Sequence, residues 1–202
     1  MYAQNISSKK IKEAAIQPRP KPHTLLAKII VDFARGKVYN KIMVRVFPLN
    51  DKYKEIFGKM FADYYEELGC DEDPVHLVDE YIIPDLLAGL LHIDLIEEDG
   101  NVCGFCIYQT DEPGNDWNFK DGWGDIREIY IVMSKRRKGL GKFLLYTAEM
   151  KLRESGVENI YALADGEAAN FFADCGYELT GEECAELECN VFAKSAKNVC
   201  CK

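Results

Sequence analysis

IYIVMSKRRKGLGKFLL, residues 129–145, reads as the end of a strand, a basic glycine turn and the start of a helix. The strand, Ile126 to Met133 (IREIYIVM), is rich in β-branched and aromatic residues. From Leu140 the apolar residues Leu140, Phe143, Leu144, Ala148 and Leu152 recur at helical spacing until Gly156 stops them. Between the two lie Arg136, Arg137, Lys138, Gly139 and Gly141. The glycines let backbone approach a ligand closely, and the first amides of the following helix have no partner within it. Such a turn suits phosphate groups. Its three cations stand out on a chain with 25 basic and 34 acidic residues, a formal charge of −9.

Other phosphate loops fit poorly. A nucleotide-triphosphatase loop needs a glycine where Arg136 stands and Ser or Thr where Phe143 stands. A dinucleotide fingerprint needs a third glycine at Leu144 and occurs early in a parallel sheet. Taken alone, the turn also reads as a basic glycine start to a helix with no ligand.

Downstream, NIYALA is the next strand, Asp165 or Gly166 starts a short helix (EAANFFADC) closed by Gly176, and YELTGE and LECNVFAK are two more strands before a tail, SAKNVCCK. Upstream, HIDLIEE and VCGFCIYQ form an antiparallel hairpin around Asp99-Gly100-Asn101. The loop DEPGNDWNFKDGWGD carries Trp117, Phe119 and Trp123, which either line an acceptor pocket or anchor the loop. Further back are a strand from Lys41 to Phe47 and a helix capped by Asn50 or Asp51, with the core stripe Tyr53, Ile56, Phe57, Met60, Phe61, Tyr64 and Leu68. A second helix opens at Asp73-Pro74 and is broken or kinked at Pro84. Residues 1–21 are a polar, proline-spaced arm, and Thr24 caps a helix whose stripe runs from Leu25 to Phe33 with Gly36 as its stop. The expected organisation is an arm and short helix over 1–40, a main domain over 41–194 and a tail over 195–202.

At 202 residues and 48% apolar content, the chain supports one full core. No apolar run is long enough to cross a membrane and no apolar signal core opens the chain, so a cytoplasmic protein is expected. The eight cysteines read as reduced thiols. Cys103 and Cys106 lie in a strand, where a spacing of three predicts opposite faces. Cys184, Cys189, Cys200 and Cys201 reach a soft metal only if the tail folds back, and no metal is expected. The acidic balance argues against nucleic acid. Asp71 to Asp73, Asp79, Glu80, Glu97 to Asp99, Asp111, Glu112, Asp116, Asp121 and Asp125 make either a negative rim for a cationic acceptor or merely solvated loops.

The quoted stretch resembles the acetyl-CoA motif of GNAT superfamily N-acetyltransferases: a strand, then Gln or Arg-x-x-Gly-x-Gly or Ala, then a helix. Arg136, Gly139 and Gly141 fill those positions. Thirty residues after Gly141, Phe171-Phe172-Ala173-Asp174-Cys175-Gly176-Tyr177 matches the family's second signature, Phe-Tyr-x-x-x-Gly-Phe. The resemblance implies an α+β fold with a mixed, mostly antiparallel central sheet flanked by helices, the acyl-CoA N-acyltransferase architecture. It implies that strand 126–133 splays from strand 159–164, that pantetheine pairs with backbone at Ile131, Val132 and Met133, and that amides of Arg137, Lys138, Gly139, Leu140, Gly141 and Lys142 hold the pyrophosphate. Asp165, Phe171 and Phe172 fall on cofactor positions. Acetyl-CoA is the implied cosubstrate, attacked directly by an amine, in a monomer or homodimer. A protonated amine must lose a proton to attack, and Glu128, then Asp125, are the candidate bases. Phe172 stands where the family often has a tyrosine that protonates the leaving thiolate, and Asp165 where it often has Asn. Two other readings are an acyl-CoA-binding sensor without turnover and an acetyltransferase of protein N-termini or lysines.

Overall fold

The computed structural model describes residues 31–32, 37–38, 43–113, 118–185 and 187–199. Its centre is a seven-stranded sheet in the order β3-β4-β5-β6-β7-β9-β8. The strands are β3 Val44–Pro48, β4 His92–Glu98, β5 Asn101–Thr110, β6 Gly124–Ile131, β7 Asn159–Ala164, β8 Glu178–Cys184 and β9 Cys189–Ser195. Every neighbouring pair is antiparallel except β6 and β7, the mixed, mostly antiparallel sheet that was expected. Two-residue strands β1 (Val31–Asp32) and β2 (Lys37–Val38) pair separately. Val31 and Asp32 are extended, which corrects the helix expected through Phe33 at these two positions. The rest of that helix, the arm, Trp117 and the terminal cysteines lie outside the described residues.

Both faces of the sheet are covered, which is why β5 is buried from Cys103 through Gln109. One face meets α1 (Lys54–Leu68), whose Phe57, Met60 and Phe61 pack on Leu95, Phe105 and Ile107. Gly69 closes α1 in the left-handed conformation, as the sequence stop requires. Asp73 caps α2 (Pro74–Leu77), and a π turn over Val78–Ile82 leads into α3 (Ile83–Ala88). The expected break at Pro84 is this wider turn, in which the Ile83 amide reaches back to Val78 and the proline, lacking an N–H, sits at the start of α3.

The other face meets α4 (Leu140–Glu154), which buries Leu140, Leu144, Leu145, Ala148 and Leu152. α5 (Gly166–Asp174) adds Phe172 to the same core. Two buried carboxylates on this face are matched by lysines. Asp94 of β4 accepts both oxygens' bonds from Lys151 at 2.6 Å, and Glu149 accepts from Lys194 at 2.9 and 3.0 Å.

Two bulges set which side chains face which helix. Ile96 pairs with Gly104 but Glu97 pairs with Val102, so Cys103 is the extra residue of β5. Cys103 and Cys106 therefore share the core layer under α4, correcting the opposite faces that a regular strand predicts. Likewise Ile107 pairs with Glu128 but Tyr108 with Ile126, making Arg127 the extra residue of β6. Ile126 and Ile129 enter the α4 layer, whereas Glu128 and Tyr130 turn to the α1 side. In a regular strand Glu128 would share the face of Ile126.

Gly104 lies where these features meet. A Cβ there would overlap the Tyr130 carbonyl oxygen and come 2.5 Å from Ile131 Cδ1. Gly104→Ala is expected to destabilise the fold by about 1–3 kcal/mol. Urea unfolding at an unchanged m-value reads it, and an unaltered midpoint would show that β5 and β6 separate freely at this point.

Candidate active site

β6 and β7 pair at Gly124–Ile160 and Asp125–Tyr161 and nowhere else. Beyond that vertex β6 continues to Ile131 and β7 to Ala164 without shared hydrogen bonds, so a wedge opens between two parallel strand edges. The wide end of the wedge on the β6 side is the basic turn.

In that turn Arg136 is extended, Arg137 takes φ +62°, and Gly139, at φ +83°, is the N-cap of α4. A positive φ on arginine costs roughly 1–2 kcal/mol, strain that the surrounding fold holds in place. The helical ladder begins with the Phe143 amide on the Gly139 carbonyl at 3.0 Å. The Leu140, Gly141 and Lys142 amides precede it at the positive end of the helix dipole. Arg137 and Lys138 are exposed there. The Lys142 ammonium is 3.2 Å from the Asp174 carbonyl of α5. Gly141 faces Phe171, whose Cε2 would lie 3.4 Å from an added Cβ, with Ile131 Cγ1 at 3.7 Å. The gap between turn and α5 is one methyl group wide.

Arg136 points elsewhere. Its Nε donates to the Ile131 carbonyl at 2.7 Å, its guanidinium carbon lies 5.4 Å from the centre of the Tyr130 ring, and it pairs with Glu67 of α1. Tyr130 also donates to Glu67, at 2.7 Å. Val132 gives its amide to Cys103 at 3.0 Å, and the Val132 and Met133 carbonyls accept from Lys135 and Arg136 at 2.9 and 3.2 Å.

Glu128, half-buried on β6, accepts a hydrogen bond from the Tyr64 hydroxyl of α1. Burial lifts its carboxyl above the usual carboxylate range, and the Tyr64 bond and the Arg127 charge oppose that rise. Burial and the neighbouring Glu128 push the Tyr64 phenol up. Sequence periodicity places Tyr64 in a core stripe, and its ring does pack on Phe105 and Tyr130, with centroids 5.8 and 5.4 Å apart. Its hydroxyl is what the pattern misses. The only signal is that tyrosine, unlike the phenylalanines beside it, must find a partner for a polar tip. Burial, then the charges of Glu128 and Glu72 among others, raises the Tyr65 phenol, so α1 and the chain after it present acids and phenols to this side.

Asp125 lies at the vertex, 6% exposed, beside fully buried Asp111. Asp111 accepts from Tyr161 at 2.7 Å, Gln109 at 2.9 Å, and the Phe119 and Lys120 amides at 2.9 and 2.8 Å. It thereby pins the loop that follows β5, and Phe119 stacks on Tyr161 with centroids 5.8 Å apart. Burial, then the Asp111 charge, raises Asp125 well above its ordinary value. Asp111 and Asp125 thus leave the solvated rim expected of them. Glu97 and Glu98 are neutralised by Arg45 and Lys135.

Asp165 caps α5 through the Gly166 amide at 2.7 Å. Phe171 lies at the turn, but Phe172 is 3% exposed in the core, with the Tyr177 ring 5.1 Å away. Among the described residues no cluster of three or more His, Cys, Asp or Glu could hold a metal, and no helix is long and apolar enough to cross a membrane.

Known proteins resemble this chain in sequence or in fold. An uncharacterised N-acetyltransferase of Bacillus subtilis, YjcF, is 25% identical over 79 residues, a match covering 38% of this chain and 56% of that protein. A GNAT-family acetyltransferase from Staphylococcus aureus superposes with a TM-score of 0.61 at 16% identity, over 76% of this chain and 99% of that one. Escherichia coli YhbS, solved with CoA, gives 0.58 at 16% identity over 79% and 85%. These structural likenesses speak to fold. The model of the acetyltransferase (GNAT) family matches residues 51–177, spanning α1, the wedge, the basic turn and α5, and the chain belongs to that family.

Proposed function

We propose that the protein transfers an acetyl or other small acyl group from CoA to a primary amine of a small molecule or peptide. The observation that carries this is the wedge between β6 and β7, which leads from a helix-terminal anion site to a half-buried carboxylate, Glu128. The pyrophosphate sits on the amides around Gly139 to Lys142, with Arg137 and Lys138 beside it. The pantetheine arm lies in the wedge against β6 near Ile131 to Met133, and its thioester comes level with Glu128. The CoA bound in the YhbS structure supports this cosubstrate.

The acceptor enters from the α1 side. Glu128 takes a proton from the ammonium as the nitrogen attacks the thioester carbonyl, the carbonyl electrons move onto oxygen, collapse expels the CoA thiolate, and the second proton shed by the nitrogen passes to that thiolate after it has left. A thiol has a pKa of about 8.5, so the thiolate leaves without an obligatory acid. Phe172, with no hydroxyl and a buried ring, is then no obstacle. The acids and phenols around Tyr65 favour a cationic acceptor. Phe172 also supports a second reading, an acyl-CoA sensor without turnover.

Glu128→Gln is expected to lower kcat/KM about 100-fold at neutral pH, read as thiol release from acetyl-CoA across an amine panel. Equal turnover would remove Glu128 as the base, and tight CoA binding with no turnover by the parent protein would favour the sensor. The base works ionised, and the Tyr64 bond holds its raised carboxyl down. Tyr64→Phe should therefore shift the acid limb of the pH–rate profile to higher pH while preserving the alkaline plateau, and an unmoved limb counts against this pairing.

At the turn, Gly141→Ala should bind CoA as the parent does, because a Cβ there makes ordinary contacts. Gly141→Phe should weaken binding at least tenfold by calorimetry, since the ring must displace Phe171 or the ligand. Unaltered affinity in Gly141→Phe would sink the pyrophosphate assignment.

A further inference from the structure

Cys184 and Cys189 end β8 and begin β9, and they are directly opposed in the register of that antiparallel pair. Directly opposed antiparallel residues have Cα atoms about 4.5–5.5 Å apart, inside the 4.4–6.8 Å range that a disulfide spans. Their side chains leave the same face, and both line one shallow cavity with Glu183, Glu188 and Asn190. Cys184 is buried and Cys189 partly exposed, and both are free thiols. Burial, Asp165 and Cys184 together raise the Cys189 thiol, as expected of a close neighbour at the start of α5.

Among the described residues no group of three or more His, Cys, Asp or Glu that could hold a metal includes them. β9 carries the chain about 20 Å from Cys189 to Ser195, and the Ala196 amide is fixed to the Glu158 carbonyl at 2.9 Å. Val199 is buried at that far end.

We propose that Cys184 and Cys189 are a thiol-modification site that small-molecule disulfides convert to a cross-strand disulfide. Cys189, the more exposed thiol, attacks as thiolate on one sulfur of the oxidant and expels a small thiol. Cys184 then attacks the sulfur of Cys189 in the mixed disulfide and expels the second. Two protein thiols and one small disulfide give one protein disulfide and two small thiols, with the two protons transferred to the departing thiolates. Among the other described cysteines, Cys103 and Cys106 are sealed in the core, Cys70 is exposed at the end of α1, and half-buried Cys175 closes α5 with no cysteine opposite it in the sheet. The bond closes the hairpin tip beside Asn190, which pairs with Ala164, the last residue of β7.

The test treats the folded full-length protein with glutathione disulfide, alkylates remaining thiols and maps them by mass spectrometry after cleavage at glutamates. Glu186 and Glu188 lie between the two cysteines, so a Cys184 peptide and a Cys189 peptide stay joined only through sulfur. The expected product is that joined pair, two hydrogens lighter than the reduced peptides and restored by dithiothreitol. In Cys184→Ser, Cys189 should instead accumulate as the glutathione mixed disulfide. Recovery of both cysteines alkylated in the parent, or of Cys189 joined to Cys175 or to a tail cysteine, overturns the assignment, as does a Cys184→Ser protein whose Cys189 stays free.

Discussion

Everything at the site depends on how soon β6 and β7 stop pairing. A parallel pair that continued along the strands would satisfy both edges and leave no room for a ligand. Here two residue pairs hold, and behind them Asp111, Asp125, Tyr161 and Gln109 form a buried polar group that joins β5, β6, β7 and the loop after β5. Such a group is expensive unless its members satisfy one another, and Asp111 alone takes bonds from two side chains and two backbone amides. The vertex is therefore fixed, and the wedge opens from a rigid point.

The bulge at Arg127 does the remaining work on β6. It changes the face to which the strand sends its side chains, so the same strand seals the α4 core with Ile126 and Ile129 and offers Glu128 to the α1 side. A carboxylate adjoining a hydrophobic layer is desolvated, and its raised affinity for a proton suits a group that must accept one. The core and the candidate base are thus set by a single extra residue.

Much of this is legible in the sequence, for identifiable reasons. Asp99-Gly100, a two-residue turn with both φ values positive, announces the β4–β5 hairpin. Gly69 and Gly156 stop α1 and α4 because helices end where glycine can turn left-handed, and the basic turn gives itself away by charge against an acidic background. What the sequence hides is tertiary. Neither bulge has a local signature, so Cys103 and Cys106 read as opposed when they are neighbours. The acidity of Asp111 reads as solvated because three of its four partners lie eight or more positions away, and Tyr64 reads as core because its hydroxyl meets a residue 64 positions away. Val31 and Asp32 lie between members of a helical stripe, Ile30 and Phe33, yet pairing with Lys37 and Val38 outweighs that local pattern.

α1 brings the two halves of the site into mechanical contact. Tyr64 and Glu67 are three residues apart, hence neighbours on one helical face. The first bonds Glu128, and the second pairs with Arg136 of the basic turn while accepting from Tyr130. The helix that packs Phe57 and Phe61 into the core is also the spacer between the candidate base and the turn. A phosphate arriving at the turn offers Arg136 an alternative to Glu67. Both partners are anionic, and the existing ion pair is partly solvated. Glu67 stays tied to Tyr130 and lies one turn from Tyr64, so the basic turn and the environment of Glu128 share one rigid element. The strand, turn and helix form the proposed anion site; α1, which the motif does not contain, is what links that turn to the Glu128 carboxylate.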